Sequence, residues 1–259
     1  MNVPSAKAST KNSKSNKAID FSAILFTAPF VLKMRYLHNF IEPITLCVGL
    51  WVSFLLLQRR KTSPMLVIVV VVFLGVISDT VSWILANSDK NNWFAWQTYT
   101  LCETVLLILF MQRIMANNAR RGKEKYLTWS SLGVILVWST VNIMSDYFGQ
   151  YAPQLGGAMG GILVFVSVWT LATLVLNTSS SLLFTLPETW FIIGIMIYHT
   201  ATAMLFASVP LFPKETWGIL RIVYSILQGT GSVVKHSCYI YGFLLCRKKL
   251  LLYRLPQTG

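Results

Sequence analysis

The chain has 259 residues, of which 54% are hydrophobic and only 12% charged, and its formal net charge is +13. Soluble domains carry about 25% charged residues, and the mean hydropathy of +0.58 points the same way, so a water-soluble globular fold is excluded. Nucleic acid is not an expected partner: most of the 22 Lys and Arg sit in short segments between apolar runs, with no RNP-like or zinc-finger spacing beside them.

Residues 1–38 form a polar tail with a short apolar segment. Lys7, Lys11, Lys14 and Lys17 lie among Ser, Asn and Ala, a composition that predicts disorder. Residues 19–32 are apolar but interrupted by Asp20 and Pro29, and they are too short to span comfortably. They have the outline of a signal peptide without the small-x-small cleavage pattern, and Met34 offers an alternative start.

Seven long apolar runs follow, at about 40–57, 64–86, 93–112, 126–143, 156–176, 189–209 and 217–246. A helix rising 1.5 Å per residue needs about 20 residues to cross roughly 30 Å of hydrocarbon. The pattern predicts an all-α membrane bundle of seven transmembrane helices over residues 39–246, followed by a basic tail, 247–259. Eight helices are the alternative, if residues 19–32 also enter the membrane. The bilayer is the expected partner, in the setting of a bacterial inner membrane.

The connections predict orientation. Arg59, Arg60 and Lys61, then Arg113, Arg120, Arg121, Lys123 and Lys125, then Arg247, Lys248, Lys249 and Arg254 fall on one side, 12 basic residues against Lys90 and Lys214 on the other. The excess of Lys and Arg on cytoplasmic loops places the C-terminus inside and the N-terminus outside. The six Lys and Arg before residue 39 oppose this, unless residues 19–32 return the tail to the cytoplasm. Trp93, Trp96 and Tyr99, Tyr126 and Trp129, and Trp190 and Trp217 mark run ends, where amphipathic rings favour the interface.

Ionisable residues inside the runs are the candidate polar site. Glu42 stands at the outer mouth of the first run and Asp79 in the outer third of the second. Glu103, His199 and Lys235 fall near mid-depth, with His236 beside Lys235. A charge at such depth costs about 2.5–3.5 kcal/mol on insertion scales, so these groups are expected to face one another or a wet cavity. Lys235 is expected to pair with Glu103 or Asp79. Two readings stand side by side: an ion pair holding helices together, and a site for a ligand or proton.

The last run is too long for one perpendicular crossing, so it must tilt, protrude or break; Gln228-Gly229-Thr230-Gly231-Ser232 is the natural break, or else a set of small residues at a helix crossing. Gly156-Gly157-Ala158-Met159-Gly160-Gly161 holds two overlapping G-x-x-x-G patterns, equally readable as a helix contact or a turn, and no oligomeric state follows from it. Cys47, Cys102, Cys238 and Cys246 show no metal-ligand spacing and read as small apolar residues. No H-E-x-x-H, G-x-S-x-G or Walker A motif is present, and the hydroxyl run Thr178 to Ser181 has no base near it and reads as a solvated loop. No enzyme activity, metal or cofactor is implied.

Ser78-Asp79, the Tyr99 to Glu103 segment, and Pro187-Glu188-Thr189-Trp190-Phe191 leading to Gly194 and Tyr198 together resemble a group of seven-span proteins of Bacteroidota-type bacteria, over about residues 38–249. The resemblance implies a seven-helix fold and carries no activity. Lys235 also invites comparison with microbial rhodopsins, but the third run lacks their Arg-x-x-Asp-Trp motif, so retinal is not expected. The functional expectation is a membrane sensor acting through a separate cytoplasmic signalling partner. A small secondary transporter or proton-coupled carrier is the alternative.

Overall fold

A computed structural model of the chain describes residues 40–56, 64–88, 90–118, 123–144, 153–208, 211 and 217–252. The N-terminal tail, most of the basic connections and the end of the basic tail lie outside these described residues. Eight helices appear among them. They are α1 (Phe40–Leu56), α2 (Met65–Asn87), α3 (Trp93–Asn118), α4 (Lys123–Met144), α5 (Pro153–Asn177), the single turn α6 (Ser180–Leu183), α7 (Pro187–Ser208) and α8 (Trp217–Leu252). No strand occurs among the described residues.

That α2 is helical shows which force dominates. Its sequence, with Val-Ile-Val-Val-Val-Val at 67–72, is rich in β-branched residues that favour strands in water. In hydrocarbon every backbone N–H and C=O needs an internal partner, and a lone segment achieves that only as a helix. Hydroxyls obey the same constraint: Thr45, Thr104 and Thr170 each donate to the carbonyl four residues back, at 2.6–2.7 Å.

The chain is a multi-pass helical membrane protein. Four helices, α2, α3, α5 and α7, are long and apolar enough to cross a membrane by length and composition. Among the rest, α1 is shorter, the apolar part of α4 is confined to Thr128–Val137, and α8 mixes apolar residues with Arg221, Lys235, Arg247, Lys248 and Lys249. Large apolar side chains such as Phe54, Phe73, Leu136, Phe165, Leu176 and Met204 are exposed on the bundle's outside, as lipid-facing residues must be.

A short turn makes α2 and α3 antiparallel neighbours, with Asn91 Oδ1 accepting the Trp93 amide at 2.9 Å to start α3. From there α3 packs on α2, α4 and α5, while α7 packs along both α5 and α8. The segment expected as a solvated loop, 177–185, contains the turn α6, whose Leu183 is buried in the core. Thr189 Oγ1 donates to Leu183 O at 2.8 Å and ties this turn to α7.

The interior is divided. Toward one end, Val52, Ile68, Leu107, Phe110, Met111, Ile114, Phe191, Tyr239 and Phe243 form a dense core. Toward the end that carries the α2–α3 turn, the buried groups are polar: Glu42, Gln97, Glu103, Thr104, His199, Thr202 and Lys235.

Small residues set the helix spacing. Gly156 and Gly160 turn toward α7, and a Cβ on Gly160 would lie 3.0 Å from Ala203 Cβ and 3.3 Å from the His199 carbonyl. The first G-x-x-x-G is therefore a helix crossing within the chain and not a turn, whereas Gly161 has nothing within 4 Å of its Cβ position. Gly160→Leu should cost about 1–3 kcal/mol by prising α5 from α7, while Gly161→Leu should change stability by less than about 0.5 kcal/mol. Thermal unfolding of both variants in mild detergent checks this pair; equal effects would contradict the assigned crossing.

The natural break proposed for the last run is absent, for α8 continues through Gln228 to Ser232. At about 54 Å it outruns the hydrocarbon and must tilt or protrude. Gly231 serves packing instead: its Cβ position lies 3.4 Å from the Tyr198 ring of α7.

Candidate functional site

The polar half is organised around one pair. Lys235 Nζ on α8 donates to Glu103 Oε1 on α3 at 3.2 Å, with neither side chain more than 6% exposed. Of the two acids within expected reach of Lys235, Glu103 is the one it meets. The Lys235 ammonium also lies 4.1 Å from the centroid of the Tyr198 ring, whose face attracts a cation. Gly194, one turn before Tyr198, allows this, because its Cβ position is only 3.0 Å from the Lys235 carbonyl and from Cys238 Cβ. Helices α7 and α8 thus touch where Lys235 and Tyr198 meet.

Other hydroxyls and amides complete the surroundings. The Tyr99 side chain, one turn before Glu103 on the same face of α3, hydrogen-bonds the Glu103 carboxylate. Tyr198 hydrogen-bonds Gln228 of α8. His199 is buried, its ring 4.9 Å from that of Tyr198, and its Nε2 has no hydrogen-bond partner.

Tyr99, Glu103, Tyr198, His199, Thr202 and Gln228 line a cavity of about 40 Å³ between α3, α5, α7 and α8. One probe-sized site needs about 10–15 Å³, so the space suits two or three waters, and the orphaned imidazole nitrogen gives them a polar contact. A metabolite site is typically 300–1,000 Å³. A larger open groove of about 790 Å³, bordered by Val164, Val168, Met196, Met204 and Leu227, is almost wholly apolar and stands apart from the charged groups.

Glu42 and Asp79 form a second cluster. Glu42 is 6% exposed, and its carboxyl is hydrogen-bonded to that of Asp79. Asp79 itself reaches the surface of the bundle. The Glu42 carboxyl rests on Gly75, in the space a Cβ would take, and the Tyr99 hydroxyl lies 3.2 Å from that same point.

His236 is buried beside Lys235 on α8. Adjacent helix positions differ by about 100°, and its ring packs 5.9 Å from Tyr239.

Glu103, Lys235 and His199 therefore share one site, Glu42 and Asp79 share another, and Tyr99 stands between them. Sequence reasoning took Tyr99 and Tyr198 as boundary or pattern residues, named Gln228 only as part of a helix break or crossing, and passed over Gly75. The available signal was spacing: Tyr99 is four residues from Glu103, and Gly75 four from Asp79, so each pair shares a helix face. Among the described residues no cluster of His, Cys, Asp and Glu is arranged to hold a metal ion. Compared with known protein families, curated proteins and solved structures, the chain matches none.

Proposed function

We propose that this is a seven-span membrane sensor whose stimulus is the proton and whose switch is the Glu103–Lys235 pair, with its C-terminus in the cytoplasm. One observation carries the reading: Glu103 of a buried ion pair lines a small cavity, of mixed polar and apolar lining, too small for a metabolite but roomy enough for water. Intramembrane ionisable groups that face the bundle interior mark proton and ion pathways. A proton arriving at Glu103 removes the charge that holds Lys235, so the α3–α8 contact weakens and the helices gain a second arrangement.

A carrier is the competing reading. Transporters of this size commonly place their sites on paired discontinuous helices, whereas α8 runs unbroken past Lys235. The sensor reading therefore fits better. Its output passes to a separate cytoplasmic protein through the basic end of α8, which carries Arg247, Lys248 and Lys249.

The test uses the full chain in liposomes. Hydrogen exchange in α3 and α8 should depend on pH in the parent and lose that dependence in Glu103→Gln, with no proton flux in either. Flux that vanishes in Glu103→Gln or Lys235→Met would replace the sensor by a carrier. Exchange independent of pH in the parent would reject the proton as stimulus.

A further inference from the structure

We propose that Asp79, Glu42 and Tyr99 form a proton-conducting branch from the bundle surface, near the α2–α3 turn, to Glu103. The branch rests on the proton-responsive reading and adds its route. Each link is a separate observation. Asp79 reaches the surface, Glu42 is buried and interacts with it, and the Glu42 carboxyl and the Tyr99 hydroxyl both lie against the Cβ position of Gly75. Tyr99 hydrogen-bonds Glu103, and the cavity beside Tyr99 and Glu103 is also lined by His199, whose Nε2 is unpartnered.

The transfer balances. A proton from water joins the Asp79–Glu42 carboxyl pair, and Glu42 passes one to the Tyr99 oxygen, directly or through one cavity water. Tyr99 releases its own hydroxyl proton to Glu103. Glu42 and Tyr99 end as they began; water has lost a proton and Glu103 has gained one.

The groups facing this route come from every neighbouring helix. They are Glu42 from α1, Asp79 from α2, Tyr99 and Glu103 from α3, Tyr198 and His199 from α7, and Tyr224, Lys235 and Tyr239 from α8. α5 contributes only Gly156, Met159 and Gly160 to the cavity wall, none of which ionises.

Gly75 makes the branch separable from the ion pair. A methyl group there would displace the Glu42 carboxyl, the mobile end of a flexible side chain, without entering backbone. Gly75→Ala should therefore fold normally while breaking the route.

The experiment is time-resolved infrared spectroscopy of the reconstituted full chain after a pH jump. It follows the carboxylic acid band that disappears in Glu103→Gln. Protonation of Glu103 should slow by about a hundredfold in Tyr99→Phe and Gly75→Ala, the lower range for a positioned proton donor, with its final extent in Gly75→Ala unchanged. An unchanged rate in both variants, with Glu103 still titrating, overturns the branch and leaves the sensor reading intact. No Glu103 band in the parent at any pH overturns both. Slowing in Tyr99→Phe but not in Gly75→Ala also overturns the branch, because cavity water would then be supplying Tyr99 by another path.

Discussion

Glu103→Gln and Lys235→Met should each destabilise the bundle by about 3–5 kcal/mol, the usual cost of stranding one buried charge. Both partners are almost fully buried, and the few waters the neighbouring cavity can hold do not replace a missing countercharge. Glutamine keeps the shape of Glu103 but not its charge, and methionine keeps most of the lysine stem. The double variant should recover most of the loss, since two neutral groups of similar volume leave no uncompensated charge. A double-mutant cycle by unfolding in mild detergent reads the coupling, which these losses put at roughly 4–8 kcal/mol, above the usual range of about 0.5–3 kcal/mol. Additive losses would mean that the two groups do not hold each other.

The second large loss is expected at Phe191. Its ring lies 5.1 Å from that of Phe243, 5.7 Å from Tyr239 and 6.0 Å from Phe110, all edge to face, so it joins α7 to α3 and α8. In water-soluble cores Phe→Ala costs about 3–5 kcal/mol, part for transfer and part for the cavity left behind. Between lipid and a protein interior the transfer part nearly disappears, because acyl chains are as apolar as the core. The cavity part remains, so Phe191→Ala should cost roughly 2–3 kcal/mol. Phe165→Ala is the control: that ring is exposed on the outer face of α5, and its loss should change stability by less than about 0.5 kcal/mol. Denaturation of the two variants side by side decides whether packing or hydrophobic transfer stabilises the bundle. Equal losses would favour transfer.

Several parts of the site could be read from residue positions alone. Lys235 needed an acid, and Glu103 stood at a matching distance along its helix. Choosing between Glu103 and Asp79 as the lysine's partner was beyond counting along the helices, because depth fixes height and not azimuth. The same limit hid Tyr198, which faces α8 only because Gly194 and Gly231 let α7 and α8 approach. The two G-x-x-x-G patterns looked alike in sequence, yet Gly160 packs on α7 and Gly161 faces open space.

By itself the sequence determined that the chain is helical and membrane-embedded, and it located the seven long helices, with α3 and α8 running six residues past the expected ends. Those properties follow from the length of an apolar run and from the backbone's need for internal hydrogen bonds in hydrocarbon. Only the tertiary structure decided how each helix is rotated, and with it the Lys235–Glu103 pair, the Glu42–Asp79 pair and the cavity beside His199. In water, the apolar stripe of a helix announces its inner face. Here lipid and core are both apolar, so both faces of a helix carry the same kinds of residue, and close packing between small and large side chains selects the inner one.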